Sequence, residues 1–268
     1  MIKLEKNLIS IPESLIPAYP DLFPGRQHIP VVSRTTHEKR MLIINGAAYV
    51  DEKEFNDRYK KDDIRIALNN IYKNKCAFCE QKVEQYHIEH YRPKKIYYWL
   101  AFSWDNLIMS CATCNQNKGI NFEIVGQHAQ FINTEKNIKL INNQSSAYNT
   151  IEQPKMVNPE MKDPTGKIQF QQNGLIQSED AEFAYTIEIC KIDRNYLNDE
   201  RRKLLDIFRR DLNSALVENT DKSGQQAEIS TIIKKFIRDS KDDGLQFLAF
   251  RRFAIVSGWL NEITKNLN

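Results

Sequence analysis

Four of the five cysteines, Cys76, Cys79, Cys111 and Cys114, fall in two C-x-x-C pairs, and this pairing constrains the fold more than any other feature. Thirty-one residues lie between the pairs. Four thiolates at this spacing supply a tetrahedral all-sulfur site that selects Zn²⁺ and leaves no open coordination position. Such a closed site is structural: it pins segments that a small unit could not hold by burial alone. In a chain with no recognisable secretory signal, the pattern reads as metal binding and not as disulfides. The fifth cysteine, Cys190, sits in the apolar-rich stretch Ile187 to Ile192 and reads as a small buried hydrophobe.

The surroundings of the cysteines fit that reading. Met1 to Tyr19 carries Lys3, Glu5 and Lys6 and has no unbroken apolar core, so no signal peptide is expected. No uncharged apolar run nears the roughly 18 residues of a membrane helix. The expectation is a soluble, cytoplasmic protein with no membrane partner. With 268 residues, 41% of them hydrophobic, the chain can bury a real core. The net charge of +3 permits nucleic-acid binding without arguing for it.

The stapled unit spans about residues 73–124 and divides the chain in three. Residues 1–72 read as an N-terminal arm and lead-in helix. Pro12, Pro17, Pro20 and Pro24 make the arm irregular, with a short strand expected at Met41 to Ile44. Glu54 to Tyr72 predicts an amphipathic helix from Phe55, Tyr59, Ile64, Ile66, Ala67, Leu68, Ile71 and Tyr72. Within the unit, Val83 to Tyr91 and Asn106 to Ser110 read as strands, Pro93 breaking the first. Thr113 to Lys118 opens a short helix.

Residues 125–268 begin with a polar loop or linker, Asn133 to Thr165. Lys167 to Gln177 alternates around Asn173-Gly174, a strong hairpin signal. Beyond it Leu204, Phe208, Leu212 and Leu216 recur every fourth residue. Arg201, Arg202, Arg209 and Arg210 crowd the same helix, as a solvated face or docking surface. Ile229 to Ile237 and Leu245 to Ile263 predict two more helices. The fold class is α+β, a zinc-stapled core between an arm and a mainly helical C-terminal region.

Between and after the cysteine pairs lie groups that a structural zinc does not need. His87, Glu89 and His90 fall within four residues. Asn106 follows in W-D-N-L, and Asn115 and Lys118, three apart, share one helical face. The cysteines already saturate one zinc, so these groups are surplus to it.

In this order, C-A-F-C-E, H-I-E-H-Y-R-P-K, W-x-N-L and C-x-x-C-N-x-x-K resemble the HNH endonucleases with a zinc-bound ββα-metal core. H-I-E-H-Y-R-P-K-K, then Tyr98-Trp99-Leu100-Ala101 and Trp104-Asp105-Asn106-Leu107, looks closer still to the PtuB-like HNH proteins of Septu and retron anti-phage systems. The specific resemblance covers about residues 71–122. A looser one, through Asp163-Pro164, Gly174, Thr186-Ile187 and Arg201, reaches about residue 205.

The resemblance implies His90 as general base and Glu89 as the acidic metal ligand before it. It implies Asn106 as the residue holding the active-site loop and histidine backbone, Asn115 as second metal ligand, and Lys118 near the scissile phosphate. Asn115 stands where part of the family has histidine. A carboxylate and an amide oxygen suit Mg²⁺ or Mn²⁺ with several waters better than catalytic zinc. The implied function is endonucleolytic cleavage of DNA or structured RNA in anti-phage defence. The implied partner is a PtuA-type ATPase, with the C-terminal helices as its contact.

The chemistry agrees independently. Phosphodiester hydrolysis needs a base for the attacking water and a cation for the developing charge. Lys118 would add electrostatic stabilisation. Strand alternation would point Glu89 and His90 to opposite faces, so convergence on one phosphate predicts a strand end or distortion near Tyr91 to Pro93.

Plainer readings stand beside these. His87 is a third metal ligand, a substrate contact or a surface histidine. Arg92, Lys94 and Lys95 hold substrate phosphates or form a polar loop. Asn115 caps its helix, which does not exclude metal binding. Tyr97, Tyr98 and Trp99 pack the loop onto the core. The alternative function is a non-catalytic zinc module binding nucleic acid or protein, which has no use for Glu89, His90 and Asn115 together.

Overall fold

The computed structural model describes residues 1–218 and 221–266. Helices surround two small antiparallel sheets of two strands each. The arm is more ordered than its prolines imply. Helix α1 (Val31–Gly46) includes the segment expected as a strand at Met41 to Ile44. Four apolar residues are too few for periodicity to decide. Ser33, Thr36, Arg40, Ile43 and Ile44 are buried at three- and four-residue steps, which places them on one helical face.

The lead-in helix is broken. Short α2 (Lys53–Asn56) and a 3-10 turn (Arg58–Lys60) precede α3 (Asp62–Tyr72). Asp62 and Asp63 favour a new helix start by meeting the positive end of the helix dipole. Ile64, Leu68 and Tyr72, four apart, are fully buried and dock α3 on the core.

After the first cysteine pair comes β1 (His87–His90), shorter than the Val83 to Tyr91 expected. It pairs antiparallel with β2 (Leu107–Ser110), with His87 opposite Ser110 and His90 opposite Leu107. Helix α4 (Ala112–Lys118) follows directly and completes a ββα unit. Tyr97 and Trp99 are buried in the connection between the strands, packing it onto the core as the sequence predicts.

The stretch expected as a loop at Asn133 to Thr165 holds three short helices, α5 (Glu135–Lys139), α6 (Gln144–Ala147) and α7 (Asn149–Glu152). Its polar composition misleads because part of it points inward. Asn142, Ser145 and Glu152 are buried and hydrogen-bonded to the core.

The hairpin forms as expected from β3 (Gln169–Phe170) and β4 (Ile176–Gln177). Gly174 is required there twice over. Its φ is +88°, and a Cβ would stand 1.9 Å from the carbonyl oxygen of Asn198. Five helices follow: α8 (Ala181–Ile189), α9 (Asn195–Glu218), α10 (Lys222–Asp239), α11 (Leu248–Val256) and α12 (Trp259–Lys265). The last two divide one predicted helix at Gly258, whose φ is +74°.

Arg201 is corrected from surface to core. It is 2% exposed and donates to the carbonyls of Gly174 (2.7 Å) and Ile192 (3.0 Å). Cys190 is fully buried, as expected. One cluster of buried apolar residues extends from Met1 through the ββα unit to Ile263. Among the described residues, no helix is long and apolar enough to cross a membrane.

Candidate active site and metal centre

The four cysteines converge. Their Sγ atoms all lie within 4.8 Å of one another, and those of Cys79 and Cys111 are 3.9 Å apart. A disulfide would need about 2.05 Å. Four sulfurs each about 2.3 Å from one zinc stand roughly 3.8 Å apart, so the spacing fits a single tetrahedral ion. All four thiols are buried, which suits a closed site. Cys111 also caps α4, its Sγ accepting the N–H of Cys114 at 3.3 Å.

Arg194, just before α9, lies against this cluster. Its guanidinium donates to Cys114 Sγ at 3.6 Å and to Cys79 and Cys111 Sγ at 3.9 Å. Burial opposes its charge, but the neighbouring thiolates outweigh burial and push its pKa up. The cation thus offsets the negative charge of a metal held by four thiolates. The sequence carries no signal for it, since 80 residues separate it from Cys114.

On β1, His87 and Glu89 point to the face that α4 covers, and Asn115 and Lys118 meet them. His87 Nδ1 and Asn115 Nδ2 are 3.0 Å apart. Lys118 Nζ donates to Glu89 Oε1 at 2.6 Å and to the His90 carbonyl at 2.9 Å. Residues two apart on a strand thus pair with residues three apart on a helix. Burial raises the Glu89 carboxyl above its ordinary range, opposed by the Lys118 ammonium. Lys118 is fully buried, which corrects its expected place beside the scissile phosphate. It supports Glu89 from beneath instead.

His90 takes the opposite face and is the last residue of β1; the chain bends at Tyr91 and Arg92, in the segment where a strand end is expected. Its Nε2 lies 2.9 Å from the Ala101 carbonyl oxygen. A carbonyl can only accept, so Nε2 carries the proton and Nδ1 is left with a free lone pair. Among the described residues, none hydrogen-bonds Nδ1. Burial pushes the imidazole down to about 3, so the ring is neutral at neutral pH. Tyr59 stands edge-on to it, 4.6 Å between ring centroids. Arg40 of α1 holds the adjacent Phe102 carbonyl at 3.0 Å and so fixes the loop that presents Ala101.

Asn106 is fully buried between the strands. Its Oδ1 accepts the Arg92 N–H at 2.8 Å, and its Nδ2 donates to the carbonyls of Arg92 (3.0 Å) and Leu100 (3.3 Å). It therefore ties the end of β1 to the loop behind His90.

Arg92 is corrected as a phosphate contact. Its side chain is fully buried, with Nε 2.7 Å from Glu152 Oε2 and the other nitrogens on Ser145 (3.0 Å) and Asn149 (2.8 Å). Every guanidinium nitrogen is thus engaged inside the protein. Lys95 is exposed and Lys94 half-buried, so both remain within reach of solvent.

The chain carries a cysteine-stapled pair of strands and one helix, with a histidine at the strand end and an asparagine on the helix, and residues 76–120, which hold these features, match the HNH endonuclease family. The chain is similar to two curated proteins, each called Septu protein PtuB. That of Bacillus mycoides strain KBAB4 is 29% identical over 166 residues, covering 55% of this chain and 52% of the relative. That of Bacillus thuringiensis is 37% identical over 68 residues, covering 24% and 26%. The matched region thus spans about half the length of the first relative and a quarter of the second. No solved structure matches.

Proposed function

We propose that this chain is a metal-dependent endonuclease that hydrolyses phosphodiester bonds of DNA or structured RNA. The observation that carries the reading is the bond from His90 Nε2 to the Ala101 carbonyl. It leaves Nδ1 as a positioned acceptor for a proton from water. Glu89 and Asn115 are the proposed ligands of Mg²⁺ or Mn²⁺, with His87, beside Asn115, as a third donor. Such a cation would hold the negative charge that develops on the phosphate. Asn106 positions the His90 backbone, and Lys95 is an outer phosphate contact. Zn²⁺ on the four cysteines is the structural ion.

Similarity to the Septu PtuB proteins supports a role in Septu-type defence. We place the chain in the cytoplasm, where the four thiols stay reduced, beside a PtuA-type ATPase that gates the nuclease. Helices α9 to α12 are the proposed contact. Removing them would not test this cleanly. Lys75, next to the first cysteine pair, donates to the carbonyls of Asp243 (2.6 Å) and Leu245 (3.1 Å), so the helices support the core. Val217, 83% exposed on α9, changed to Asp is the better probe, and co-purification with the ATPase undiminished by it would count against α9.

The decisive experiment is cleavage of plasmid DNA and total tRNA with Mg²⁺, Mn²⁺ or EDTA, comparing wild type with His90→Ala at equal zinc content. Metal-dependent cleavage lost in the variant supports the mechanism and names the substrate class. Cleavage unchanged in the variant removes His90 as base. No cleavage by wild type, even with the co-expressed ATPase, favours a non-catalytic zinc module.

A further inference from the structure

With Lys118 committed to Glu89, the charge facing a phosphate at His90 must come from elsewhere. Two further lysines, Lys60 and Lys94, lie in the lead-in segment and in the loop after β1. Lys60 is an exposed residue of the 3-10 turn. Lys94 is the one whose position the fold determines.

Its ammonium is caged by the lead-in segment. Nζ stands 4.1 Å from the Tyr49 ring centroid and 5.0 Å from that of Tyr59. It donates to Asn56 Oδ1 at 2.8 Å and to the Tyr59 hydroxyl at 3.0 Å. Asn56 Oδ1 also accepts from the hydroxyls of Tyr49 (2.8 Å) and Tyr59 (3.1 Å), which locks both rings. Asn56 is held in turn by Asp51, to which its Nδ2 donates at 2.9 Å.

The cage positions the charge without cancelling it. The nearest carboxylate, Asp51, is 3.7 Å from Nζ with a side chain 67% exposed, so solvent screens that pair. Burial lowers the Lys94 ammonium to about 8, which leaves it charged at neutral pH, and the Tyr49 face holds that charge through the ring quadrupole. Tyr59, which accepts a hydrogen bond from the ammonium, also stands edge-on to the His90 ring. An ammonium has three N–H donors, and the neutral acceptors of the cage take two.

We propose that Lys94 is the cation that meets the phosphodiester charge beside His90, and that Tyr49, Asn56 and Tyr59 are the residues that position it. The inference rests on the nuclease reading and names the group that does what Lys118, being buried, does not. A charge held in place before substrate arrives needs no reorganisation during reaction.

The test compares the full chain with Lys94→Gln, Lys94→Arg and Tyr59→Phe, each matched for zinc content and cooperative unfolding. On the substrate that wild type cleaves, Lys94→Gln lowers kcat/KM by about 100-fold. Lys94→Arg recovers part of the loss. Tyr59→Phe keeps the ring but loses the hydroxyl, and lowers kcat/KM by a smaller factor.

A second readout is independent of turnover. In a His90→Ala background, binding to a labelled DNA duplex and to labelled tRNA is measured across salt concentrations. Lys94→Gln lowers the slope of log K against log salt by about one. An unchanged slope and an unchanged kcat/KM overturn the assignment and leave the nuclease reading intact. If wild type binds without cleaving, with or without the ATPase, the nuclease reading falls and takes the assignment with it. If it neither binds nor cleaves, with or without the ATPase, both readings fall.

Discussion

Asn106 and Arg92 exchange a reciprocal pair of hydrogen bonds: Oδ1 of the asparagine accepts the arginine N–H at 2.8 Å, and Nδ2 donates to the arginine carbonyl at 3.0 Å. A side-chain amide thereby imitates one rung of a β-ladder, two residues past the end of β1. The rung ties the chain just after His90 to the turn that leads into β2. Asn106→Ala leaves both buried backbone groups unpaired and should cost about 2–5 kcal/mol. Urea unfolding measures that loss, and a variant as stable as wild type would show that the rung is dispensable.

The cysteine cluster should retain about one zinc per chain, and Cys111→Ala should lose it together with cooperative unfolding. Arg194→Gln keeps all four ligands. It should release zinc faster to a chromophoric chelator, because the thiolate charge is no longer offset by the guanidinium. Equal release rates would mean that Arg194 only packs there.

Arg92 and Lys95 should separate structure from substrate contact. Breaking the fully buried Arg92–Glu152 pair with Glu152→Ala strands a charge and should cost about 3–5 kcal/mol. Lys95→Gln should leave stability unchanged and lower the salt slope of nucleic-acid binding by about one. Normal stability in Glu152→Ala would argue against the buried pair.

Asp105 should make stability depend on pH. Burial pushes its carboxyl up to about 6 from an ordinary 3.8, despite hydrogen bonds from Ser103 and Ser146. The folded state therefore holds the proton more tightly than the unfolded one. That contribution is present in full below the ordinary value and is lost as pH rises through about 6. Relative to Asp105→Asn, wild type should lose about 3 kcal/mol between roughly pH 4 and 7. A flat difference across that range would show that the carboxyl titrates normally.

The sequence alone determined the local chemistry: which thiols cluster, where the strand–helix unit lies, the Asn173-Gly174 turn, and the groups surplus to a structural metal. These follow from spacing, because ligand geometry and turn conformation act over a few residues. Tertiary structure decided which cations face outward. Lys118 and Arg92 read as surface charges until Glu89 and Glu152 are seen to bury them. It also decided that polar residues such as Asn142 and Ser145 belong to the core, and that Arg194 and the Tyr49–Asn56–Tyr59 cage reach the two centres. Contacts of that kind join residues tens of positions apart, and a buried charge is stable only with a partner that no local pattern reveals.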